Sequence, residues 1–141
     1  MVIAWIENEF PNATGKYNKT SDISIYYNCI AWACGDDSNW WSHLIGYKWP
    51  NAPRTPLIES LIAIFTNIGY EICDNDSLES GFEKVVLYEK DGLWKHAARQ
   101  LPNGHWTSKL GRDEDIEHFT PQDLAGSSYG DVHCIMKRAN P

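Results

Sequence analysis

Midway along the chain the hydrophobic period changes from three-to-four residues to two, and that switch constrains the fold most. Leu57, Leu61, Ile64, Phe65 and Ile68 recur at helical spacing, with Ile58 and Ile62 beside them. Thr55 is placed to cap this helix, Pro56 to open it and Gly69 to stop it. The segment is apolar around most of its circumference, so it belongs in a core. Beyond Gly69 the pattern alternates. YEIC (70–73), KVVLYEK (84–90), WKHAARQL (94–101), HWTSKL (105–110) and VHCIMKR (132–138) read as strands. Asp91-Gly92 and Pro102-Asn103-Gly104 are tight-turn signals that join three of them into consecutive hairpins. Helices first and a mainly antiparallel sheet afterwards make an α+β domain.

At 141 residues the chain fits one domain spanning 1–141. Residues 11–24 are rich in turn formers and read as an extended loop. Tyr27 to Cys34, YNCIAWAC, reads as a short buried helix that Asn28 caps. Residues 36–55 form a long Trp-rich excursion without a period, and loops of that length are usually functional or folded over something. Thr120-Pro121-Gln122-Asp123 starts a further short helix with cap, proline and acid in order. The DEDIEH segment that ends at His118 reads as a charged helical turn with a solvated face, the lesser alternative being that His118 closes the site.

A net charge of −7 without a basic cluster argues against nucleic-acid binding. No apolar run is long enough for a membrane span, and no secretory signal opens the sequence, so the expected setting is cytoplasmic. The four cysteines form no CxxC pairs. Cys29, Cys34, His118 and His133 have no recognised ligand spacing, so neither a metal nor another cofactor is expected.

The chemistry-bearing candidate is Cys29 with His96. A thiol nucleophile needs a base nearby and a backbone N–H to hold an oxyanion. Cys29 opens the expected short helix, and Ala31 and Ala33 leave room for close packing. His96 shares a strand face with Ala98 and Gln100. A third group must orient the imidazole. If Leu101 pairs with His105, Ser108 lies alongside His96; a two-residue turn puts Thr107 or Lys109 there instead.

The run HAARQLPNGHWTSK (96–109) resembles the histidine hairpin of NlpC/P60-type cysteine peptidases, in the wider papain-like group. That hairpin has a His opening a strand, an Asn-Gly turn and a third polar residue twelve positions after the His, which here is Ser108. The resemblance implies a papain-like fold with N-terminal helices on the sheet. It implies Cys29 as nucleophile, His96 as general base and acid, and Ser108 as orienting residue. The chain departs from the family pattern with Asn28-Cys29-Ile30 in place of Asp-Cys-Ser, and with Ser at the third position. It is also similar to uncharacterised bacterial domains that combine NCIAWA, HAARQ and WTSKLG.

Trp40, Trp41 and Trp49 follow the Cys29 helix and are candidates to wall a substrate groove. Gln100 lies about 13 Å along the strand from His96, as a cleft wall or a structural hydrogen-bonding group. The expected function is a cysteine peptidase or amidase acting on a peptide or protein amide, by a Cys–His dyad or triad. The alternatives are a non-catalytic protein-binding module of the immunity or adaptor kind, and a deamidase-type toxin.

Overall fold

The computed structural model describes residues 2–50 and 52–140. Among them, the elements are α1 (Ala4–Glu9), β1 (Tyr17–Ser21), α2 (Cys29–Ala33), α3 (Ile58–Asn67), β2 (Glu71–Cys73), β3 (Phe82–Lys90), β4 (Leu93–Gln100), β5 (Trp106–Lys109), β6 (Asp115–His118) and β7 (Asp131–Ala139). Two short 3-10 turns, Pro11–Ala13 and Pro121–Leu124, complete them. The strands form one seven-stranded sheet in the order β1-β6-β5-β4-β3-β7-β2. Every pairing in it is antiparallel. The architecture is α+β.

β3 reads as a nearly continuous apolar run because the sheet is covered on both faces. Val85 and Leu87, with Ala97 of β4, face a cluster built from α2, α3, Trp41 and Trp49. Val86, Tyr88 and Ala98 face a second cluster with Ile6 of α1, Phe10, Trp106, Ile116 and Leu124. A residue of β3 and its neighbour in sequence therefore enter different cores, as the two-residue strand period requires.

The hairpin register follows from the turn. The Leu101 amide donates to the His105 carbonyl at 2.7 Å. Arg99 then pairs with Thr107 and Gln100 with Trp106, and the ladder stops there. β4 continues to Leu93 along β3, while β5 turns its remaining residues, Ser108 and Lys109, toward β6. The strands part, and α2 packs over the parting, against both. Trp32 locks it there: its indole N–H donates to Thr107 Oγ1 at 2.9 Å, and the Arg99 guanidinium lies over its ring. Ala31 and Ala33, both fully buried, allow the helix backbone to approach.

Several sequence expectations change. Residues 11–24 are not one extended loop, because β1 pairs along β6. DEDIEH is a strand, not a solvated turn: Asp115, Ile116 and His118 are buried. Helix α3 starts at Ile58, since Pro56 and Ile58 hydrogen-bond with Trp94 and Gly92. The helix expected at Thr120 is a 3-10 turn, with the expected cap and proline. Trp5, which has no place in the sequence pattern, stands partly exposed on α1.

Gly126 and Gly130 pair with each other and close a small loop that carries Tyr129. Gly130 has φ +75, and a Cβ there would collide with the Glu89 carbonyl. Gly130→Ala is therefore expected to lower the unfolding free energy by about 2–3 kcal/mol, from backbone strain and displaced loop. Urea unfolding of the two proteins measures it.

Candidate active site

Asn28 positions Cys29. Its side-chain oxygen caps α2 by accepting from the Ala31 amide at 3.2 Å. The same side chain brackets the Trp41 backbone, accepting from its N–H and donating to its C=O. The thiol is thereby placed in the parting between β4 and β5. Along a strand, alternate amides point to the same neighbour. The Leu101 amide points toward β5, so the Ala97 amide points the same way, where the ladder has ended. The Cys29 sulfur meets it there. Burial pushes the thiol up to about 11, while the N–H groups of Ala97, Ile30 and Cys29 itself and the charge of Lys109 pull it down. The sulfur thus lies one hydrogen bond from the peptide group that joins His96 to Ala97.

His96 is fully buried. Its Nε2 is 3.0 Å from Ser108 Oγ. Ser108 Oγ is in turn 2.8 Å from Nε2 of His118, and His118 Nδ1 is 2.9 Å from the Thr120 carbonyl. His96 Nδ1 has no hydrogen-bond partner among the described residues. Tyr129 stacks on the imidazole with ring centres 4.1 Å apart and planes 5° from parallel. Tyr88 packs against it from the neighbouring strand. Burial holds His96 well below the ordinary histidine range, and lowers His118 to about 4. Both rings are neutral near pH 7.

Lys109 sits nearby, on the α2 side. Its ammonium donates to the carbonyls of Gly111 and Asp113 at 2.6 and 2.7 Å and lies over the Tyr27 ring. The Tyr27 hydroxyl donates to the buried Asp115 carboxylate at 2.6 Å.

Residues 18–137 match the model of a family described as a domain of unknown function, DUF7689. The chain belongs to that family. No curated protein and no solved structure matches it. The matched part of this DUF7689 domain contains Cys29, His96, Ser108 and His118, and leaves α1 outside.

Among the other residues singled out from sequence, Trp41 and Trp49 are buried. They close the helix-side core of the DUF7689 domain instead of walling a groove: their indole N–H groups go to Asp36 and the Pro53 carbonyl, and Trp49 stacks on Trp94. Trp40 is half-buried and borders a shallow depression of about 250 Å³ with Ile25, Tyr47 and Arg112. The Gln100 amide donates to the Asp76 and Gly104 carbonyls, tying the strand end to two loops. His118, only a lesser candidate in the sequence, is brought to Ser108 because DIEH is a strand and not a helical turn. Gly111 marks a third turn, and Ile116-Glu117-His118 alternates after it, so extending the meander by one strand would have found it.

His118 carries a pH signature. Its folded value of about 4 lies below the ordinary 6.5, so between those limits the unfolded chain binds more protons. This contribution is complete above pH 6.5 and is lost as pH falls toward 4. It is expected to remove on the order of 2 kcal/mol of stability between pH 7 and pH 5. Urea unfolding at the two pH values, for the wild type and His118→Gln, isolates it: the variant should lack that part of the acid sensitivity.

Proposed function

We propose that this domain is a papain-like cysteine hydrolase of the NlpC/P60 type acting on an amide bond. Cys29 is the nucleophile, His96 the general base and acid, and Ser108 the orienting residue. The observation that carries this reading is the Cys29 sulfur held against the amide next to His96, whose Nδ1 is unpartnered. The raised thiol and the neutral imidazole argue against a standing ion pair. Proton transfer therefore accompanies attack. The Cys29 S–H proton moves to His96 Nδ1 as sulfur bonds to the carbonyl carbon. The amides of Cys29 and Ile30, which already face the sulfur, meet the oxyanion. His96 then gives the proton to the leaving nitrogen as the C–N bond breaks. Water, deprotonated by His96, cleaves the thioester and restores the thiol.

A peptide, a peptidoglycan cross-link and a protein glutamine side chain all present the bond this chemistry needs. The depression beside Trp40 is a candidate for part of the substrate approach. The burial of Cys29, His96, Ser108 and His118 favours a second reading, in which the polar group only stiffens a protein-binding module.

An activated ester separates the two. With p-nitrophenyl acetate, the wild type should release a burst of nitrophenolate and carry the acetyl group on Cys29, located by peptide mass mapping. His96→Ala should slow that acylation by about 10²–10⁴-fold, the usual share of a general base. Acylation confined to the partly exposed Cys73, or a Cys29 rate indifferent to His96, would sink the hydrolase reading.

A further inference from the structure

The chain of contacts from Thr120 to His96 has a direction, and it follows from hydrogen-bond chemistry alone. A carbonyl oxygen only accepts. At 2.9 Å from the Thr120 carbonyl, His118 Nδ1 must therefore carry a proton. In a neutral ring the other nitrogen is then a bare acceptor. Ser108, 2.8 Å from that nitrogen, must turn its hydroxyl hydrogen toward it. The Ser108 oxygen is left to accept from His96 Nε2 at 3.0 Å. His96 is thereby required to hold its proton on Nε2 and a lone pair on Nδ1.

From this geometry we infer that His118 is a positioning residue: acting through Ser108, it fixes the tautomer of His96 and leaves Nδ1 free to accept a proton. The anchor of the chain is itself held. The Asp123 carboxylate accepts from the amides of Phe119 and Thr120 and from the Thr120 hydroxyl, so the turn that presents the Thr120 carbonyl is clamped. The Thr120 carbonyl, Asp123 and Glu117 favour charge on His118, but burial, aided by the repulsion from His105, outweighs them and keeps the ring neutral. The fully buried setting also excludes water as a competing partner for Ser108.

This assignment answers the departure of Ser108 from its expected chemistry. A serine hydroxyl is both donor and acceptor and rotates freely, so alone it does not choose between the two tautomers of its neighbour. Given His118 as a fixed acceptor, it acts only as an acceptor toward His96. Without His118, the hydroxyl is free to donate to His96 Nε2, which would move the imidazole proton to Nδ1 and remove the base.

The proposal rests on the hydrolase reading only for its kinetic consequence; the tautomer itself is measurable without any substrate. Nitrogen-15 NMR of the full chain at pH 7, read through long-range couplings in the imidazole rings, should find His96 protonated on Nε2 and His118 on Nδ1. His118→Leu fills the space without an acceptor and should give His96 a mixed or Nδ1-protonated ring. His118→Gln can place an oxygen for Ser108 and should restore the wild-type pattern. If His118→Leu does not fold, Ser108→Ala leaves both rings in place and should release the His96 tautomer in the same way. In step, acylation of Cys29 should fall by about tenfold or more in His118→Leu and recover in His118→Gln, because an imidazole in the wrong tautomer cannot take the proton. A wild-type His96 protonated on Nδ1, or a tautomer unchanged in both His118→Leu and Ser108→Ala, would overturn the inference. The expected tautomers with no acylation of Cys29 would support it and overturn the hydrolase reading alone.

Discussion

Beyond Arg99, β4 has no partner on its β5 side, and a buried backbone N–H left unmet costs on the order of 1–3 kcal/mol. The fold answers this with a sulfur atom. Helix α2 lies over the parting, Trp32 pins it to Thr107 and Arg99, and Asn28 caps it and brackets the Trp41 backbone. The Cys29 sulfur then faces the Ala97 amide. A longer β4–β5 ladder would occupy that amide with a carbonyl and leave the thiol no place in the plane of the sheet. The short ladder and the position of the cysteine are one structural fact.

The polar chain beside it is held at the cost of desolvation. Two imidazoles and a hydroxyl are enclosed where water would otherwise serve them, and such networks are tolerated when each member is satisfied. Here three junctions are filled and one atom, His96 Nδ1, is not. The chain of contacts therefore ends in one unpartnered ring nitrogen, on the residue whose peptide bond to Ala97 carries the amide that the Cys29 sulfur meets. Lys109 adds a positive charge from the opposite face, its ammonium satisfied by two carbonyls.

The parts of this arrangement that were legible in the sequence are those set by local period and turn chemistry. Leu57–Ile68 gives its helix by spacing, and Asp91-Gly92 and Pro102-Asn103-Gly104 give the hairpins. The latter turn admits two registers, and the one with Leu101 bonded to His105 is adopted, which puts Ser108 beside His96. β1 and β6 were not legible, because YNKTS and DIEH are polar strands paired to each other at the sheet edge. Their polar composition reads as loop until the partner is known. The weight of His118 was obscured for the same reason, although the turn at Gly111 and the alternation after it were there to be read. The Trp-rich excursion showed its importance but not its sense: indole rings that look like a groove wall in sequence are packed against Trp94 and the helix layer, and only Trp40 remains at the surface.

Tyr129 has a kinetic meaning. It lies flat on His96 at the tip of a loop closed by the Gly126–Gly130 pair, a small unit joined to the body by few covalent steps. His96 is enclosed while that ring is seated, so the rate at which any reagent meets it from this side is the intrinsic rate multiplied by the fraction of time the enclosure is open. An opening free energy of about 3 kcal/mol would reduce the observed reactivity roughly a hundredfold without altering the chemistry underneath. Slow modification of His96 in the resting protein would then measure the loop, and a molecule that displaces Tyr129 by its own binding would meet an imidazole that the free protein keeps covered.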